Sequence, residues 1–203
     1  MIFKQRRENH EPFVYRLFGA TLGAVILFAV EVLQVVIIAA AIIIPVRYFL
    51  IKPFIVRGAS MEPNYYENDY LIIDEVSYRF GEAERGEIVV FRPPGNESQY
   101  YIKRVIGLPG ETVEILDGNI TISNKDYPNG IDLTEDYIED YTEGHERVTL
   151  GADEYFLLGD NRDASFDSRR FGPVDEENIV GKVWLRGLPF ERLGLFDYPE
   201  YGL

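Results

Sequence analysis

Apolar residues follow two rhythms along this chain, and the change between them falls near Lys52. Upstream, Leu17 to Val30 and Val32 to Ile51 are nearly unbroken apolar stretches. The second reads VLQVVIIAAAIIIPVRYFLI, with Gln34 and Arg47 as its strongly polar members. Twenty helical residues at about 1.5 Å each cover the roughly 30 Å hydrocarbon core of a bilayer. No Pro, Asn or Gly between Ala24 and Ile44 offers a hairpin turn. The pattern therefore predicts one long helix from about Phe13, with residues 1–31 as a cytoplasmic or interfacial segment and 32–51 as the transmembrane span. Pro45 would kink this helix late rather than end it. A span starting further upstream fits the same pattern, and a buried core helix is the alternative that its length disfavours. No small-residue cleavage signal with a turn follows the run, so it does not read as a cleavable leader.

Beyond Lys52 the apolar positions alternate. FIVRG, YLIIDEV, GEIVVFRP, QYYIKRVIGL, TVEILDG, NITIS, ERVTLG, EYFLLGD and NIVGKVWLRG are short β-branched and aromatic runs separated by Gly, Pro, Asn and Asp. That spacing predicts an all-β body over 52–203, with about 111–155 as a smaller inserted region. Within it, 124–147 is poor in apolar runs and rich in acid, and reads as a solvated insertion, with a metal-binding acidic tail as the weaker alternative.

Charge sharpens the division. The net charge of −14 splits into +3 over residues 1–52 and −17 over the rest. A basic apolar head on an acidic body suits a membrane, and Lys4, Arg6, Arg7 and Arg16 favour a cytoplasmic N-terminus, although Lys52 and Arg57 oppose that vote. The acidic balance argues against nucleic acid. With no cysteine the chain has no disulfide, thiolate nucleophile or cysteine-bound zinc, and His10 and His145 are its whole imidazole supply.

A hydrolase so equipped can still use serine if a lysine takes its proton. Such a lysine needs its pKa moved from about 10.4 to about 7–8, which requires roughly 3–5 kcal/mol of desolvation. Lys103 suits this best, because Tyr101 and Val105 flank it on its own strand face and no carboxylate lies within five residues. The competing reading is an edge-strand lysine with its ammonium in water. Ser60, in VRGASMEP, lies in a Gly-containing connection that could expose a hydroxyl and aim backbone N–H groups at one point; alone, it reads equally as a turn residue. The cluster GDNRDASFDSRRFGP, residues 159–173, fails as a calcium loop, since counting from Asp160 puts Arg162, Ser165 and Phe171 at positions three, six and twelve. Arginine–aspartate pairs fixing a loop beside a strand fit it better.

Together, SMEP (60–63), NDYLII (68–73), RGEIVVF (85–91), YIKRVIGLPGE (101–111) and GDNRDASFDSR (159–169), in this order after an apolar anchor, resemble the boxes of bacterial type I signal peptidase. The likeness covers roughly residues 31–189. It implies a mainly antiparallel β body of signal-peptidase type behind an N-terminal transmembrane helix, in the plasma membrane, single-pass, with the catalytic body extracytoplasmic. It implies Ser60 as nucleophile, Lys103 as general base, Ser165 orienting the lysine amine, and Asp167–Arg169 with Asp160 supporting the loop. Phe54, Val56, Met61, Tyr65, Tyr101 and Ile102 would line small pockets that select Ala-x-Ala. The implied partners are exported preproteins with signal peptides, membrane lipid and the translocation machinery; no cofactor or metal is implied.

Departures are Asn64-Tyr65 where the family continues Thr-Leu, and Gly58 where many relatives carry a hydroxyl as second oxyanion donor. The rivals are a self-cleaving repressor, which would need a DNA-binding module, and a membrane-anchored β domain that binds without catalysis.

Overall fold

The computed structural model describes residues 19–49, 52–76, 78, 81–96, 98–138, 141–195, 198, 199 and 201. Lys4, Arg6, Arg7 and Arg16, Ile51 at the end of the expected span, and Glu139 and Asp140 of the acidic segment lie outside the described residues. The chain divides into two compact units at Tyr48/Phe49.

Among the described residues the first unit carries the helix α1 (Ala20–Phe49), which runs past Pro45. Within it Thr21–Ile44 is long and apolar enough to cross a membrane, about 36 Å at the helical rise. This stretch overlaps the 32–51 span expected from the sequence and begins upstream of it. Leu22, Val30, Ile38, Val35 and Val25 point in successive directions around the axis and are all exposed. Apolar side chains thus ring the helix instead of forming the single stripe of a surface helix.

In the second unit each of the nine alternating runs becomes a strand. These are β1 (Lys52–Ile55), β2 (Tyr70–Asp74), β3 (Ile88–Phe91), β4 (Tyr101–Gly107), β5 (Thr112–Leu116), β6 (Asn119–Ser123), β8 (Glu146–Thr149), β9 (Glu154–Leu158) and β11 (Ile179–Leu188). The described residues also form the two-residue strands β7 (Ile131–Asp132), β10 (Val174–Asp175) and β12 (Gly194–Leu195), a one-turn helix α2 (Ser168–Phe171) and two 3-10 turns. The larger sheet has the order β1-β2-β11-β3-β4-β9-β10 with β12 beside β11, and the smaller one the order β7-β6-β5-β8. The pairings are antiparallel, as the family resemblance implies.

Burial follows the pleat. On β3, Ile88 and Val90 join Met61, Tyr65, Leu71 and Val183 in one core, while Val89 and Phe91 join Val105, Tyr155 and Leu157 in another. Ile106, Phe156 and Leu158 meet Val113, Ile115 and Ile122 of the smaller sheet in a third. A Cβ at Gly107 would come within 2.5 Å of the Val113 side chain, so glycine here allows the end of β4 to pass tightly under β5. The strand that carries Lys103 is therefore interior, paired on both sides by β3 and β9.

Candidate active site

Ser60 sits just past β1, after Gly58, whose φ of +80° is the left-handed region where glycine is at ease. The turn continues as one helical loop, with the Tyr65 N–H donating to the Met61 carbonyl at 2.8 Å. That loop rotates Met61 and Tyr65 inward, and both are buried in the core formed with Leu71 and Val183. Among the described residues, the Ser60 N–H donates no backbone hydrogen bond.

Lys103 lies opposite Val89 in the β3–β4 ladder and is 3% exposed. The edge-strand reading therefore gives way to the buried one. Its Nζ donates to Ser60 Oγ at 2.8 Å and to the Ile102 carbonyl at 2.8 Å, and stands 5.8 Å from the centre of the Tyr101 ring. Burial strips water from the ammonium and pushes its pKa down to about 8, against the partial opposition of Asp167 and Asp160. Among the described residues no carboxylate forms an ion pair with it. At that value an appreciable fraction of the amine is neutral near pH 7 to 8, and it can accept the proton of the hydroxyl it touches.

The loop after β9 presses against this pair from the far side. Asn161 N–H donates to the Ser60 carbonyl at 3.1 Å. A Cβ at Gly159 would strike the Ser165 hydroxyl and stand 2.5 Å from that same carbonyl, so the two loops close only over glycine. Asp167 caps α2 and receives Gly159 N–H at 3.1 Å and Arg169 Nε at 2.9 Å. Burial works to raise the Asp167 carboxyl, but the hydrogen bonds and charge of Arg169, with the Gly159 N–H, hold it below its usual range. Asp160 takes a two-pronged ion pair from Arg104, at 2.8 and 2.7 Å.

The expected site residues thus separate into groups. Ser60 and Lys103 are in contact. Phe54, Val56, Tyr101 and Ile102 line a cleft of about 570 Å³ that also holds Ser60, Lys103, Tyr100 and Phe166. Met61 and Tyr65 are not on its wall; they lie in the core beneath. Ser165 Oγ is buried without a hydrogen-bond partner, so here it does not hold the lysine amine, which is held by Ser60 and the Ile102 carbonyl instead. Asp163 and Arg170 are exposed and take no part in the loop's buried pairs.

The sequence reading assigns no supporting role to Arg104, Tyr137, Asn64 or Glu135. Arg104, the next residue on β4, grips Asp160 and stacks its guanidinium 3.9 Å over Tyr137. Asn64 donates to Asp160 at 2.8 Å and to the Tyr137 carbonyl at 3.0 Å. Glu135 pairs with Arg162. The acidic segment 124–147 is therefore not simply solvated, since Glu135, Tyr137 and buried Thr142 reach the loop. Alternating apolar residues around a charge-rich IKR marked Arg104 as interior, but no spacing signal marked the other three. Among the described residues, no group of three His, Asp or Glu is arranged to hold a metal ion.

Comparison with known proteins gives the family. The family model described as "Signal peptidase, peptidase S26" matches residues 29–187. The chain is 40% identical over 164 residues to a signal peptidase I of Leptolyngbya laminosa, covering 76% of this chain and 77% of that one. It is 33% identical over 182 residues to signal peptidase IB of Staphylococcus aureus strain MRSA252, covering 80% and 91%. A solved signal peptidase I from Enterococcus faecalis V583 is similar at 34% identity and a TM-score of 0.44, over 51% of this chain and 97% of that one.

Proposed function

The chain belongs to the signal peptidase family, peptidase S26, and on that premise we propose that it removes signal peptides from exported preproteins with Ser60 as nucleophile and Lys103 as general base. The observation that carries the reading is the 2.8 Å contact of a buried lysine amine with a serine hydroxyl.

Lys103, neutral, accepts the Ser60 proton as Oγ attacks the scissile carbonyl. The tetrahedral oxyanion is received by the Ser60 N–H, and the lysine ammonium then protonates the leaving amine. The acyl-enzyme is hydrolysed when the lysine, neutral again, activates water for the second attack. Asp160, Asp167 and Arg169 position the loop against the Ser60 turn, and Ser165 packs beside that turn as a positioning residue. A peptide laid in extended form along the cleft meets Phe54, Val56, Tyr101 and Ile102, whose shallow apolar walls suit small side chains and so an Ala-x-Ala ending. The apolar helix α1 serves as a single membrane anchor, with the N-terminus cytoplasmic and the body 52–203 outside the plasma membrane, where a translocated signal peptide emerges.

Cleavage of an Ala-x-Ala preprotein by the purified chain in detergent tests the reading. Ser60→Ala and Lys103→Ala should each abolish product while leaving the fold intact by circular dichroism. Undiminished cleavage in both would refute it.

A further inference from the structure

The acidic segment 124–147 lies outside the family boxes, yet one of its carboxylates is built into the interior. Arg162, whose side chain is 0% exposed, receives Glu135 in a two-pronged pair, at 2.5 Å through Nη2 and 2.8 Å through Nη1. Its Nη1 also meets the Thr142 hydroxyl. From that anchorage Arg162 Nε donates to the Gly159 carbonyl at 2.9 Å, and the Arg162 carbonyl receives Arg169 Nη2 at 2.5 Å. Gly159 and Asn161 are the residues that close on Asp167 and on the Ser60 carbonyl. A continuous set of contacts therefore runs from Glu135 to the nucleophile turn.

We propose that Glu135 is a positioning residue for the Ser60–Lys103 pair, holding the Gly159–Asp167 loop in place by neutralising the buried Arg162. The inference rests on the Ser/Lys reading given above. A buried guanidinium whose partner is removed must find water or another carboxylate. The one that acts on it beyond Glu135 is Asp160, already held by Arg104 and Asn64. Tyr137 lies under the Arg104 guanidinium and within electrostatic reach of Arg162, and Glu143, Glu146, Asp163 and Arg170 line the polar cleft outside Arg162 and Arg169. Lys103 feels Asp160 and Asp167 from this loop. Removing the Glu135 charge thus adds net positive potential on the side of the lysine and loosens the loop together.

The test measures kcat and KM on a preprotein in detergent, and the NMR titration of the Lys103 side chain, for Glu135→Gln, Arg162→Gln, the double variant and Asp126→Asn. Asp126 is an exposed carboxylate of the same segment with no contact to the loop, and its variant should match wild type. Glu135→Gln should lose about tenfold to a hundredfold in kcat with KM within about twofold, and the Lys103 midpoint should fall by roughly half a pH unit. The double variant should be no worse than Arg162→Gln, because the two act through one contact. Wild-type kcat in Glu135→Gln, an unmoved Lys103 midpoint, or additive losses in the double variant would each overturn the proposal. If Glu135→Gln alone does not fold, the double variant, which buries no unpaired charge, is read in its place against Asp126→Asn. Undiminished cleavage by Ser60→Ala would bring down the nucleophile assignment, whereas an unmoved Lys103 midpoint in Glu135→Gln with Ser60→Ala inactive would bring down only the positioning role, so the two failures are distinguishable.

Discussion

Lys103 and Arg104 are neighbours on β4, 3% and 4% exposed, and the fold treats their charges in opposite ways. Around Arg104 it supplies everything a buried cation needs: the two oxygens of Asp160, the Gly86 carbonyl at 2.9 Å and the face of Tyr137. Burial alone would lower the Arg104 pKa, but the Asp160 hydrogen bonds and charge outweigh it and the group is held firmly ionised. Lys103 receives a hydroxyl, one backbone carbonyl and apolar surroundings, and its charge is disfavoured. Successive residues of a strand face opposite sides, so one strand can anchor the scaffold on one face and hold a reactive amine on the other. Satisfied charge is the structural device, and withheld charge is the chemical one.

The largest expected effect breaks the satisfied side. Arg104→Met leaves the wholly buried Asp160 carboxylate without its cation, and should cost about 3–5 kcal/mol of stability in a denaturant titration of the purified chain. A cost below about 1 kcal/mol would mean that Asn64 alone satisfies Asp160, and the contrast between the two faces would fail.

The other side should respond with the opposite sign. The folded pKa of Lys103, about 8, lies below its unfolded value of 10.5. Between these values the unfolded state binds more protons, so stability rises with pH through that window, and below about 8 the lysine imposes its full penalty. At 1.36 kcal/mol per unit that penalty is roughly 3 kcal/mol. Lys103→Met should therefore stabilise the protein at pH 7 by about 1–3 kcal/mol while removing activity, and the gain should shrink above pH 8. Destabilisation at pH 7 would contradict the desolvated lysine.

The smallest effect sharpens the comparison within the loop itself. Asp163→Asn and Arg170→Gln alter exposed charges a few residues from Asp160 and Arg169, and each should change stability by less than about 0.5 kcal/mol. A cost near that of Arg104→Met would mean that the loop is held by its surface instead of its buried pairs.

These contrasts also mark how far the sequence could be read. The nine main strands were legible because alternation and turn residues recur over four or more positions, and the Asp117-Gly118 corner of β5–β6 is a two-residue turn with both residues at positive φ. β7, β10 and β12 were not legible, since two residues carry no period. Ser60 and Lys103 are 43 positions apart, and only the order of the family boxes joined them. The resemblance also placed Met61 and Tyr65 at the pockets, but the helical loop after Ser60 turns both into the core. Glu135 was hidden by its neighbours: in a run of exposed acids, one carboxylate that finds a buried arginine 27 positions away has no local signature. Residues whose burial follows from period 2 could be read, and pairings made by tertiary closure could not.

In the proposed reaction a desolvated Lys103 deprotonates Ser60. That step is tested most directly by the pH dependence of kcat/KM on a short Ala-x-Ala peptide, measured for wild type beside Lys103→Arg. The wild-type rate should rise with pH through a midpoint near 8 as the Lys103 ammonium loses its proton, and Lys103→Arg should show no measurable rate. A midpoint near 10.5, or a retained rate in Lys103→Arg, would contradict it.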